Sequence, residues 1–151
     1  MEFVLLIALP ALGALTLAFL GARRQAPEIN SAFSLGTFLA ACGLTVRVIG
    51  EGNLTLAREQ FFIDPFNVFL VALTAFIGWT TSLFSAPYMR IEREHGRVSA
   101  GQLRLFHSMY QLFIATMLIA LTTNNLGLLW VAMEAATLST VLLVTLYRTP
   151  A

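Results

Sequence analysis

Uncharged apolar runs alternate with short charged clusters along this chain. The first run occupies residues 3–22 and stops at Arg23 and Arg24; the second occupies 29–46 and stops at Arg47; the third occupies 65–89 and stops at Arg90. A bilayer core about 30 Å thick needs roughly 20 helical residues, each adding about 1.5 Å. Each of these runs suffices for one crossing. Residues 105–133 form a fourth run of 29 positions without a formal charge, too long for a single span. Thr122-Thr123-Asn124-Asn125 divides it, because such side chains suit a turn and are poor against lipid. The pattern predicts an all-α integral membrane fold of five transmembrane helices, at about 3–22, 29–49, 65–88, 105–122 and 126–146. Loops at 23–28, 50–64 and 89–104 then join the first four.

Composition excludes the soluble alternative. Of 151 residues, 58% are hydrophobic and only 11% are charged, with a mean hydropathy of +0.78. A soluble domain carries about 25% charged residues. Nine arginines, no lysine and eight carboxylates leave a net charge of +1, which is no electrostatic footprint for nucleic acid. Cys42 is the only cysteine and lies in an apolar run, so neither a disulfide framework nor a cysteine zinc site is available. Glu2 precedes the first run, no basic leader is present, and the run is longer than a secretory h-region. It reads as a first span, not a cleaved signal.

Charge also predicts an orientation. With the N-terminus outside, seven arginines (23, 24, 90, 93, 97, 104 and 148) face the cytoplasm and two (47 and 58) face outward. The positive-inside rule selects that arrangement, which puts the C-terminus in the cytoplasm. Within the outer loop, Leu54-Thr55-Leu56 and Gln60-Phe61-Phe62-Ile63 have the pattern of a short hairpin. Asp64-Pro65 reads as a helix start, with Asp64 as a structural cap and Pro65 at the first helical position.

Glu134 is the main candidate for chemistry. It lies in the middle of the fifth span, where a charged acid costs about 2.5–3.5 kcal/mol on the insertion scale. The ten Leu and Val residues at 126, 128, 129, 131, 138, 141, 142, 143, 144 and 146 each return about 0.3–0.6 kcal/mol, so the helix inserts with its acid. Intramembrane carboxylates face a bundle interior or a water-filled cavity and mark ion or proton paths. At 100° per residue, Gly127, Trp130, Val131, Thr137, Leu138, Val141 and Thr145 share the Glu134 side. Ala132, Ala136 and Ser139 lie opposite, where small side chains permit close helix approach. Both sides are expected to contact protein. The bland alternative is a protonated glutamate that only hydrogen-bonds a neighbour. His107 and Gln111, near the cytoplasmic start of the fourth span, are weaker candidates for proton access; an interfacial histidine that snorkels its ring is the simpler expectation. His95 sits in a charged loop expected to be solvated, and Arg47 is expected to snorkel. No nucleophile–base set and no phosphate-binding glycine loop occurs, so no catalytic, cofactor-binding or metal site is assigned to this chain.

The stretch Asn124-Asn125-Leu126-Gly127-Leu128-Leu129-Trp130-Val131-Ala132-Met133-Glu134-Ala135-Ala136-Thr137-Leu138-Ser139 resembles the fifth helix of proton-translocating antiporter-like subunits. These occur in respiratory complex I, multisubunit sodium/proton antiporters and membrane-bound nickel-iron hydrogenases. Within that superfamily the resemblance is strongest to the hydrogenase-4 members. Phe62-Ile63-Asp64-Pro65-Phe66-Asn67-Val68-Phe69-Leu70, Thr80-Thr81-Ser82-Leu83-Phe84-Ser85-Ala86-Pro87-Tyr88-Met89 and the closing Tyr147-Arg148-Thr149-Pro150-Ala151 agree with the same group. The resemblance implies a periplasmic N-terminus, an outer hairpin after the second helix and a multi-pass place in the cell inner membrane. It also implies that Glu134 matches the family's essential fifth-helix glutamate. Cofactors are expected in partner subunits only, as nickel-iron and iron–sulfur centres.

One departure shapes the functional expectation. Family members have about fourteen helices, built around two inverted five-helix repeats, whereas this pattern contains five. The family's partner lysine for the glutamate lies on a later helix, and this chain has no lysine. Arginine stays protonated and cannot release a proton in its place. The chain is therefore expected to be the N-terminal portion of a larger or split subunit. Its expected partners are the bilayer, the remaining helices, and other membrane and peripheral subunits of a redox complex. The leading reading is a non-catalytic, proton-translocating part of a hydrogenase-4-like or NADH-quinone-oxidoreductase-like complex. A multisubunit sodium/proton antiporter is the alternative, and a structural or degenerate fragment without transport is the third.

Overall fold

The computed structural model of the protein describes residues 1–145. Five helices cross-pack in it: α1 (Glu2–Leu20), α2 (Ala26–Glu51), α3 (Pro65–Glu94), α4 (Ala100–Thr122) and α5 (Leu126–Val144). All five are long and apolar enough to cross a membrane. Leu146, the last residue of the expected fifth span, lies outside the described residues, as do Arg148 and the closing Tyr147-Arg148-Thr149-Pro150-Ala151 stretch. Between α2 and α3, β1 (Leu54–Leu56) and β2 (Phe61–Ile63) form an antiparallel hairpin in which Leu54 faces Ile63 and Leu56 faces Phe61.

Chain direction puts one set of turns at each end of the bundle. The hairpin end holds the start of α1, the end of α2 and the α4–α5 turn. There Thr123 bridges to Phe61, and the Asn124 amide donates to the Gln60 carbonyl at 2.7 Å. Arg47 donates to Glu51 at 2.9 Å and to Glu2 at 3.3 Å, joining α2 to the N-terminus. The opposite end holds the α1–α2 and α3–α4 turns, and with them Arg23, Arg24, Arg90, Arg93, Arg97 and Arg104.

Local chemistry explains where the helices start. Asp64 accepts from the backbone amides of Phe66 and Asn67, while the Asn67 side chain accepts from the Asp64 amide, a reciprocal capping box. Ser99 and Gln102 make the same box at the start of α4. Asn125 caps α5 by accepting from Gly127 and Leu128.

These caps correct the expected bounds. The 89–104 loop contracts to five residues, because α3 runs on to Glu94 with Pro87 inside it and the Ser99 cap starts α4 at Ala100. The charged positions end the membrane-crossing run, but a helix does not stop at the edge of lipid. Past that edge, water and side-chain caps satisfy the terminal backbone groups wherever the helix ends. Likewise α2 begins at Ala26, with Pro27 in its first turn, rather than at 29.

Packing centres on α4, which contacts α1, α3 and α5, while α2 packs between α1 and α3. Leu6, Leu44, Val48, Ile63, Val71 and Leu118 form the tightest part of the apolar interior. Small residues set the approach distances, as expected where lipid offers no hydrophobic drive to associate. A methyl group on Gly13 would sit 3.0 Å from Phe33 and 3.2 Å from Gln111, and one on Gly78 would sit 2.9 Å from Ile114. The Tyr110 hydroxyl donates to the Gly78 carbonyl across that same α3–α4 contact.

Candidate functional site

The candidate polar groups of the spans lie in two places, on either side of the α4–α5 contact. The first is the interior between α1, α2 and α4. Asn30, Ser34 and Thr37 recur on α2 at spacings of four and three, which puts them on one helix face. All three are buried, as are His107, Ser108 and Gln111 on α4. The Gln111 Nε2 amide donates toward the Asn30 carbonyl at 3.0 Å, Asn30 Oδ1 at 2.9 Å and Ser34 Oγ at 2.9 Å. Ser108 donates to the Ala14 carbonyl of α1 at 2.8 Å. Four buried atoms in this group have no partner among the described residues: Asn30 Nδ2, Gln111 Oε1, and both ring nitrogens of His107.

His107 does not snorkel. Only 1% of its surface is exposed. The earlier start of α4 places it two turns inside the helix rather than at its rim, with its ring edge-on to Phe106 at 5.2 Å between centroids. Beyond it, toward the arginine-rich end, opens a cavity of about 840 Å³ that reaches the ends of α1 and α3. His95, by contrast, is exposed at the end of α3. Asn30 and Ser34 carry no charge, and sequence reasoning centred on ionisable groups missed them. Their signal was available, as a polar stripe at helical spacing inside an apolar run.

The second place is the outer side of α5. Ala132, Ala136 and Ser139 are buried at the contact with α4, so the small-residue side is the packed one. Glu134 lies about half a turn away. It is exposed, and among the described residues it has no hydrogen-bond or ion-pair partner. Trp130, Val131, Leu138 and Val141 surround it, and all are more than half exposed. The expectation of protein contact on both sides of α5 therefore holds within this chain for one side alone. The structure brings Gln111 to Asn30 and Ser34, and it does not bring His107 or Gln111 to Glu134. The two lie across the α4–α5 interface from each other.

Aligned over 149 residues, the chain is 40% identical to a protein named hydrogenase-4 component F homolog from Methylacidiphilum infernorum (isolate V4). The alignment covers 99% of this chain and 30% of that protein. The similarity is consistent with the antiporter-like superfamily of membrane subunits. A second relative is NADH-quinone oxidoreductase subunit L of Buchnera aphidicola subsp. Baizongia pistaciae (strain Bp), 31% identical over 88 residues, which are 58% of this chain and 13% of that protein. No protein-family model matches the chain. It thus spans less than a third of the length of either relative.

Proposed function

We propose that this chain is part of the proton-translocating membrane subunit of a redox complex of the hydrogenase-4 or NADH-quinone oxidoreductase type. It sits in the cell inner membrane, N-terminus outward and C-terminus in the cytoplasm, with electron transfer confined to partner subunits that hold nickel-iron and iron–sulfur centres. The relatives' names support the type of complex. The observation that carries the proton role is the placement of Glu134, an acid at the centre of an apolar helix on the face turned away from its own bundle. Such a residue is costly in lipid and is retained where it meets a partner or a water path.

Chemistry then requires a second group. A cation brought near a carboxylate favours its ionised form, and withdrawing the cation favours the protonated form. Moving a cation therefore makes Glu134 release or take up a proton. No lysine exists in this chain to play that part, and among the described residues no arginine is paired with Glu134. The cation comes from further helices that dock on the Trp130–Glu134–Leu138 face. Protons reach Glu134 from that side of α5, rather than through His107 and Gln111.

The test is proton pumping by the assembled complex. Glu134→Gln keeps the shape and hydrogen-bonding capacity but cannot ionise, and it is expected to stop pumping with assembly intact. Glu134→Asp is expected to keep part of it. Normal pumping by an assembled Glu134→Gln complex removes the carrier role.

A further inference from the structure

The cavity at the arginine-rich end has a chemistry that proton transfer at Glu134 does not use. Arg23 and Arg24 enter it from the α1–α2 turn, Arg90 and Arg93 from the last turns of α3, and His107 from α4. Glu28 and Glu94 also line it. Four arginines against two glutamates leave a net charge of +2 on the wall. Arg90 is ion-paired with Glu28. Among the described residues Arg23, Arg24 and Arg93 have no ion-pair partner, and all three are exposed. At the inner end is His107, 1% exposed, with neither ring nitrogen bonded among the described residues.

Each of these facts selects against a cation and for an oxyanion. A concave site with a net positive wall concentrates anions. Guanidinium groups match phosphate oxygens with two parallel donors. The site also stands where the apolar spans end and the charged turns begin, at the level of lipid headgroups. Met89 and Leu103 supply apolar wall beside the arginines. Basic pockets between transmembrane helices at this level take anionic headgroups. A volume of about 840 Å³ is ample for a phosphodiester and its glycerol.

We propose that this cavity is a binding site for the phosphate headgroup of an anionic glycerophospholipid, held by Arg23, Arg24 and Arg93 above a floor closed by His107. The lipid then links the α1–α2 turn to the end of α3, beside the Arg90–Glu28 pair that joins α3 to the first turn of α2. The proposal stands apart from the role of Glu134, which lies on the far side of the bundle.

The test uses the 151-residue chain in neutral detergent, titrated with phosphatidylglycerol, with phosphatidylcholine, or with inorganic phosphate, and read by native mass spectrometry. Phosphatidylglycerol is expected to saturate at one tightly held molecule per chain, roughly ten-fold or more tighter than phosphatidylcholine. Each arginine near an anionic headgroup is worth roughly a five-fold factor. Arg93→Gln should therefore weaken the site about five-fold and the Arg23→Gln/Arg24→Gln pair about 25-fold. Arg104→Gln, which removes a charge at the same end but outside the cavity, should leave it unchanged. Equal binding of the two lipids, or equal effects of Arg93→Gln and Arg104→Gln, would each overturn the proposal. Displacement of phosphatidylglycerol by low-millimolar inorganic phosphate would overturn the lipid assignment and leave a site for the free anion.

Discussion

The interior between α1, α2 and α4 and the outer face of α5 each carry candidate polar groups, and the two differ in enclosure and in bonding. The interior group is enclosed and mutually bonded, with Gln111 spanning to Asn30 and Ser34 and Ser108 anchored on Ala14. Glu134 is exposed and bonded to nothing among the described residues. Polar groups of the first kind fix how helices pack, because leaving one partner behind costs the desolvation of the other. A polar group of the second kind stabilises nothing in its own bundle. Its retention against the insertion cost calls for a use outside that bundle. The comparison teaches that position relative to a packed face, and not polarity itself, separates a structural polar residue from a working one.

The largest effect that would break this comparison is functional. Glu134→Gln should abolish proton pumping by the assembled complex while Gln111→Leu leaves measurable pumping in whatever fraction assembles. The opposite ranking would exchange the two assignments. Next comes stability. Gln111→Leu strands Asn30 and Ser34 and should destabilise the chain by about 1–3 kcal/mol. Ala136→Leu, on the face of α5 packed against α4, should cost about 1–3 kcal/mol through overpacking and loosen α5 from the bundle. Both are read from unfolding titrations of the detergent-solubilised chain by circular dichroism. Asp64→Ala removes the cap of α3 and should cost about 0.5–2 kcal/mol. The smallest effect sharpens the contrast most. Glu134→Gln in the isolated chain should shift stability by no more than about 0.5 kcal/mol, as for an exposed position without partners. A larger loss would mean that Glu134 already has a structural role here.

Much of this was legible in the chain. Charge-free runs marked the five helices, since the cost of a charged side chain in lipid is steep enough to punctuate a sequence. Asp64-Pro65 marked a helix start because capping is local chemistry, readable within four residues. Glu134 stood out for the same reason the runs did. Less legible was where helices extend past the membrane. At Glu94 and Ala100 the outcome depended on the Ser99–Gln102 box rather than on hydropathy. His107 was misplaced for that reason, being read from the start of an apolar run when its helix begins at Ala100, a turn and more before that run. Which side of α5 packs on α4 was narrowed to two faces by the small-residue stripe, but only the assembled bundle chose between them. The cavity was hidden altogether, because its arginines come from two segments far apart in the chain, the turn after α1 and the last turns of α3 itself.

The central claim is that Glu134 itself gains and loses a proton during turnover. Infrared difference spectroscopy on the assembled complex, triggered by its electron donor, reads this directly. The account predicts a protonated-carboxyl carbonyl band that changes on turnover, shifts in heavy water, and vanishes in Glu134→Gln. A pumping complex whose carboxyl bands are the same with and without Glu134→Gln would contradict it.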